Sequence, residues 1–198
     1  MALSAGRLYL AAAWGGRLWI YDVRDPADLR PLGRFDRPNI PHKGRVLKFG
    51  RSRGVRKGGI AVARGYAYVT LGGYSPREPS IFVFDVRDPA APVFASAISF
   101  PEKGWQHFYC DVRVHGGYLI GAEYSRLHIY SLERPGRPKL IHTFRRTDDG
   151  AIWKGYQWTL GGFRENFMFI PKLDGLDIVR IPTRPEYPEG EVKIQARY

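Results

Sequence analysis

The sequence predicts an all-β protein built from a repeated unit, and three observations lead there. The hexapeptide Asp-Val-Arg-Asp-Pro-Ala occurs twice, at 22–27 and 85–90, each time closing a short apolar run. Segments rich in Tyr, Val, Ile and Phe recur between Gly and Pro punctuation, a composition that suits half-buried pleated strands and tight turns. No stretch repeats apolar residues at the 3.6-residue spacing of an amphipathic helix.

The first unit, residues 1–35, opens with MALSAGRLYLAAAWGG, which reads as strand, Gly turn and a second strand near 7–12. A third strand near 17–23 runs into the Asp-Pro turn. The second unit, 57–100, repeats this order in GGIAVARGYAYVTLGG, with strands near 66–71 and 80–86. In the third, 109–144, CDVRVHGGYLIGAEY precedes SRLHIYSLERPGRPKLIHTF, which places strands near 118–123 and 126–132 and puts Ser131 where Asp22 and Asp85 stand. The fourth, 154–198, is more diverged. GYQWTLGGFRENFMFIPKL and LDGLDIVRIPTRPEYPEGEVKIQA give strands near 166–171 and 176–181, with Arg180 at the Asp22 position.

Four strands per unit, at a spacing of roughly forty to fifty residues, is the pattern of a β-propeller blade. The expectation is therefore one domain, a small β-propeller of four four-stranded antiparallel blades. MALSA starts the first unit and GEVKIQARY finishes the fourth, so no strand exchange latches the ring. It closes within one chain or is completed or covered by a second subunit about a two-fold axis, and self-association as a homodimer is expected.

Residues 18–33 and 81–96 resemble the repeat of the LVIVD family of propellers, 127–141 resembles it less closely, and 111–120 resembles the strand pair preceding it. The resemblance implies the propeller fold and no particular chemistry, because propellers host many functions. The chain departs from the family in lacking the Asp-x-x-Asp-Pro turn in its fourth unit and in having only four units.

Thirty-one basic against nineteen acidic residues give a net charge of +12, a balance that favours anionic partners. Hydrophobic residues at 44% exclude a disordered chain. Cys110 is the single cysteine, which excludes an intrachain disulfide and a cysteine zinc site and makes a reducing, cytoplasmic setting the simpler expectation. No run is long enough to span a membrane, and no secretory leader is expected.

Two groups of residues are candidate sites. The link between the first and second units, 36–56, is an insertion compared with the link that follows the second unit. From Arg37 to Lys57 it holds eight cations and no carboxylate. Lys43, Arg45, Lys48, Arg51 and Arg53 are the candidate anion-binding loop, although a solvated connector with a short hairpin around Val46, Leu47 and Phe49 is the simpler reading. The segments leading into the innermost strands should gather at one mouth of the channel. That collects Arg56, Lys57, Trp105, His107, Tyr109, Trp153 and Lys154, cations beside flat aromatic faces that suit an anionic or aromatic ligand.

Asp22, Asp25, Asp85 and Asp88 supply too few converging oxygens for calcium and read as turn caps. No metal or other cofactor is expected. No nucleophile elbow, phosphate loop, zinc-protease helix or dinucleotide fingerprint is present. The expected function is thus a non-catalytic binding or assembly module that engages a protein or small anionic ligand. Two alternatives stand beside it: an enzyme acting on a small anionic substrate with His107 as general base, and sequence-tolerant nucleic-acid binding.

Overall fold

The computed structural model describes residues 1–12, 16–37, 39–49, 59–70, 81–99, 111–122, 126–145, 162–172 and 175–181. Every regular element among them is a strand. β1 (Ala2–Ser4), β2 (Arg7–Ala12), β3 (Arg17–Asp22) and β4 (Arg30–Asp36) form an antiparallel meander. β5 (Asn39–His42) and β6 (Arg45–Lys48) form a separate hairpin. A second four-stranded meander follows in β7 (Ile60–Ala63), β8 (Tyr66–Thr70), β9 (Ile81–Asp85) and β10 (Val93–Ile98). A third comprises β11 (Asp111–His115), β12 (Tyr118–Ala122), β13 (Arg126–Ser131) and β14 (Lys139–Arg145). In the fourth sheet β15 (Phe163–Arg164), β16 (Phe167–Lys172) and β17 (Gly175–Arg180) are described. The expected closing strand GEVKIQARY lies outside the described residues.

The first three four-stranded sheets open on the same device. Ala5-Gly6, Arg64-Gly65 and Gly116-Gly117 are two-residue loops in which both residues have positive φ, from 49° to 89°. That is the turn whose twist matches a right-handed hairpin. The carbonyl of the second loop residue then accepts the N–H that follows the third strand: Val23 to Gly6 at 2.9 Å, Val86 to Gly65 at 2.9 Å and Leu132 to Gly117 at 3.0 Å. Ile181 does the same to Asn166 at 2.6 Å. This bond puts Arg180 at the Asp22 position of the fourth unit, as the sequence alignment expects.

The turn after the third strand is capped by its own side chains. Asp22 accepts the backbone N–H and the guanidinium of Arg24 at 3.0 and 2.5 Å, and Asp25 accepts the N–H of Ala27 at 2.9 Å. Asp85 and Asp88 repeat both arrangements with Arg87 and Ala90. In the third unit the Ser131 hydroxyl accepts the N–H of Glu133 at 3.2 Å. These Asx and Ser turns satisfy backbone donors that no ladder reaches.

The fourth strand of each complete sheet carries one unpaired residue where the register shifts. These are Leu32, Ala95 and Ile141, each ten residues beyond Asp22, Asp85 or Ser131. Such a bulge twists the outer strand and re-aims the side chain that follows it. The next residue in the first sheet is Gly33, where an added Cβ would fall 2.2 Å from the Pro89 carbonyl oxygen and 2.7 Å from that of Ala90. The corresponding Ser96 donates its hydroxyl to the Gly136 carbonyl at 2.7 Å. The outer strand of one sheet therefore rests on the Pro turn of the next.

Three apolar cores join the sheets in chain order. Leu18, Ile20 and Phe35 of the first meet Val69, Phe82 and Phe84 of the second. Tyr68, Ile81 and Val83 of the second meet Leu119, Tyr130 and Leu132 of the third. Ile120, Leu127 and Ile129 of the third meet Met168, Val179 and Ile181 of the fourth. Alternate residues of one strand thus serve opposite cores, the arrangement of a sheet buried on both faces. The first strands also neighbour one another, β1 against β7 and β7 against β11. The result is an all-β, propeller-like succession of antiparallel sheets.

Candidate functional site

The basic insertion is half buried. β5 and β6 pair from Asn39–Lys48 to His42–Arg45, leaving Lys43 and Gly44 as a two-residue turn with φ of 47° and 73°. Period-two alternation puts Ile40 and Leu47 on the inner face, and both are buried. Phe49, just past β6, is fully buried. Its ring lies 5.1 Å from Phe82, 4.9 Å from Phe84 and 6.0 Å from Phe35, in tilted and edge-on contacts. His42 meets Phe94 edge-on at 5.5 Å. The hairpin is an apolar plug over the core between the first and second sheets. This corrects the reading of the stretch as a solvated connector: residues 39–49 give one face to the core. The signal was present in Ile40, Leu47 and Phe49 around a Lys-Gly turn, but the density of cations concealed it.

Lys43 and Arg45 are exposed, as is Arg37 beside the hairpin. Among the described residues none of the three has a carboxylate within ion-pair distance. The nearest acid in sequence, Asp36, is held by Arg17 at 3.1 Å and faces Arg34 at 3.9 Å. Lys48 pairs with Asn39 through the β6 backbone. Arg51 and Arg53 lie outside the described residues.

So do all seven residues expected at the channel mouth: Arg56, Lys57, Trp105, His107, Tyr109, Trp153 and Lys154. The chain ends that carry two of these segments are adjacent. A Cβ added at Gly59, the residue before β7, would lie 2.8 Å from the backbone nitrogen of Val112 and 2.9 Å from a carboxylate oxygen of Asp111, where β11 begins. Gly59 and Asp111, the first described residues after those two segments, are therefore neighbours.

The Asp-Pro turns are committed to structure. The hydrogen bond from the Arg24 side chain, more than any other influence, pulls the Asp22 carboxyl down to about 2, and Arg87 lowers Asp85 in the same way. No group of three or more His, Cys, Asp or Glu side chains is placed to hold a metal among the described residues. No described helix is long and apolar enough to cross a membrane.

No protein-family model matches the chain, and no curated protein does. Among solved structures it resembles a functionally unknown protein from Desulfotomaculum acetoxidans, with a TM-score of 0.50 and 13% identity over 91% of this chain and 56% of that one. It also resembles apo AztD from Citrobacter koseri, with a TM-score of 0.41, 14% identity and coverage of 87% and 43%. A further AztD structure gives a TM-score of 0.43 at 14% identity, with coverage of 87% and 42%. These neighbours are β-rich and propeller-like. The chain spans about half the length of each. At these identities the likeness concerns the fold alone.

Proposed function

We propose that the chain is a four-bladed propeller module of the LVIVD-repeat type that binds an anionic partner or ligand without transforming it. Its contact surface is the tip of the β5–β6 hairpin together with the basic segment that follows. One observation carries this reading: Lys43 and Arg45 stand in solvent, without a carboxylate partner among the described residues, on a hairpin whose base is sealed into the core by Ile40, Leu47 and Phe49. An anchored cation loses less conformational freedom on binding than one on a loose loop, so more of its attraction appears as affinity. The LVIVD assignment draws on the capped Asp-x-x-Asp-Pro turns and on the repeated bond from Val23, Val86, Leu132 and Ile181. The channel-mouth cluster draws on the adjacency of Gly59 and Asp111, the described residues that follow the segments bearing Arg56-Lys57 and Trp105–Tyr109 in the chain.

Inorganic polyphosphate titrated at several salt concentrations tests the reading. Lys43→Ser combined with Arg45→Ser should weaken binding and flatten the dependence of log K on log salt, by roughly 0.7–0.9 for each phosphate that the protein no longer neutralises. Exposed substitutions of this kind usually change stability by no more than about 0.5 kcal/mol, so the fold should persist. Binding that is the same in the double variant at every salt concentration would remove the hairpin tip from the site.

A further inference from the structure

The repeat provides an internal control for every packed face. Trp19 and Tyr21 of β3 stand where β9 has Phe82 and Phe84 and β13 has His128 and Tyr130. Those four are at most 2% exposed. Leu8 corresponds to Ala67, Leu119 and Met168, and Val23 to Val86, Leu132 and Ile181, all buried. For the apolar ones the preceding sheet shares the core that covers them, joined at Phe82 and Phe84 by Phe49 of the hairpin. In the first sheet Leu8, Leu10, Trp19, Tyr21 and Val23 are only half-buried, and Leu3, which pairs with Leu8 on that face, is 71% exposed.

The fourth sheet shows the complementary deficit. Phe169 and Ile178 pair across β16 and β17 on the face turned away from the third sheet. Their counterparts are Tyr9 with Ile20, Tyr68 with Val83, and Ile120 with Ile129, every one buried by the following sheet. Phe169 and Ile178 are half-buried, and Phe167 on the same face is exposed. Three cores join four sheets, and none among the described residues joins the fourth to the first.

The occupant of each face follows from the other. Everywhere else in the molecule a face of the Trp19 type is covered by one of the Phe169 type. Among the described residues this chain carries one unsatisfied face of each kind, and no core joins the two. We propose that they meet between two copies, the fourth sheet of one chain packing on the first sheet of its partner. A two-fold axis repeats the junction and closes a ring of eight sheets, at the upper end of the usual four to eight. The proposal rests on the propeller reading but not on anion binding, so polyphosphate affinity and subunit assembly stand or fall separately.

Sedimentation equilibrium at micromolar concentration tests it. The unaltered protein should sediment at about twice its 22.6 kDa chain mass. Trp19→Glu and Phe169→Glu should each weaken association at least about a hundredfold, because each buries an unpaired charge at both junctions. Mixed together, the two variants should recover a two-chain species. The Phe169 face of the first and the Trp19 face of the second remain intact and form one sound junction. Leu3→Glu, at an exposed position that does not endanger folding, should also weaken association. A monomeric unaltered protein overturns the proposal, and so does a dimer that survives both Trp19→Glu and Leu3→Glu. A dimer lost with Trp19→Glu but kept with Phe169→Glu overturns the head-to-tail arrangement in favour of first sheet against first sheet, and a mixture that stays monomeric overturns head-to-tail closure as such.

Discussion

Phe49→Ala is the most direct test of the hairpin as a plug. The side chain is fully buried and touches aromatic rings from two sheets, Phe35 on one side and Phe82 and Phe84 on the other. Truncating a buried Phe removes its transfer free energy and leaves a cavity, at a combined cost of about 3–5 kcal/mol. Collapse cannot offset much of this, because the three surrounding rings belong to strands fixed by their own ladders. Undocking the hairpin is no escape, since it would also uncover Ile40 and Leu47. Urea unfolding with linear extrapolation reads the loss as a lower midpoint at an unchanged slope. Val46→Ala, at a position 58% exposed on the opposite face of the same hairpin, should stay within about 0.5 kcal/mol of the parent. A loss below about 1 kcal/mol for Phe49→Ala, or equal losses for the two variants, would refute the plug.

Two further outcomes follow from the turns. Gly33→Ala drives a methyl group into the backbone of the Asp88-Pro89-Ala90 turn and should cost about 1–3 kcal/mol. Gly44→Ala meets nothing within 4 Å and should cost only its left-handed backbone, about 1–2 kcal/mol; a Gly33 variant as stable as the parent would show that the sheet rests only loosely on the turn. The folded state lowers the Asp22 and Asp85 carboxyl pKa values, so it favours their ionised forms. Their contribution to stability is complete above the ordinary value of 3.8 and fades as pH falls below it, for Asp22 towards about 2. Urea midpoints followed from pH 5 to pH 2 should drop less steeply when both are changed to Asn, and an unchanged slope would place the acid sensitivity elsewhere.

The strands were legible because each is written several times. Where a single copy is diverged, as around Arg180, the others fix its register, and the Ile181–Asn166 bond falls at the expected place. Turn chemistry was legible because Asp before Arg and Pro has a local function that needs no distant partner. The docking of the hairpin was not, since it occurs once and its inward residues find their partners in two other sheets. Its cations dominate the composition while its three apolar residues dominate the packing. The bulges at Leu32, Ala95 and Ile141 were also hidden. They show only as a constant count of ten residues whose side chains differ, and a pattern of spacing without identity leaves no mark on composition.

That constant count divides the chain into parts that vary in different ways. Between Asp22 and Gly33, and again between Asp85 and Ser96, the number of residues sets whether the outer strand reaches the neighbouring turn. Exposed side chains there that cap no backbone group can change so long as nothing is added or removed. Between sheets the rule is reversed: the link after β4 accommodates a whole extra hairpin while the repeat on either side keeps its register. Loops grafted at those links should be accepted by the scaffold, whereas a single residue inserted into an Asp-Pro turn would move the rest of that strand out of phase.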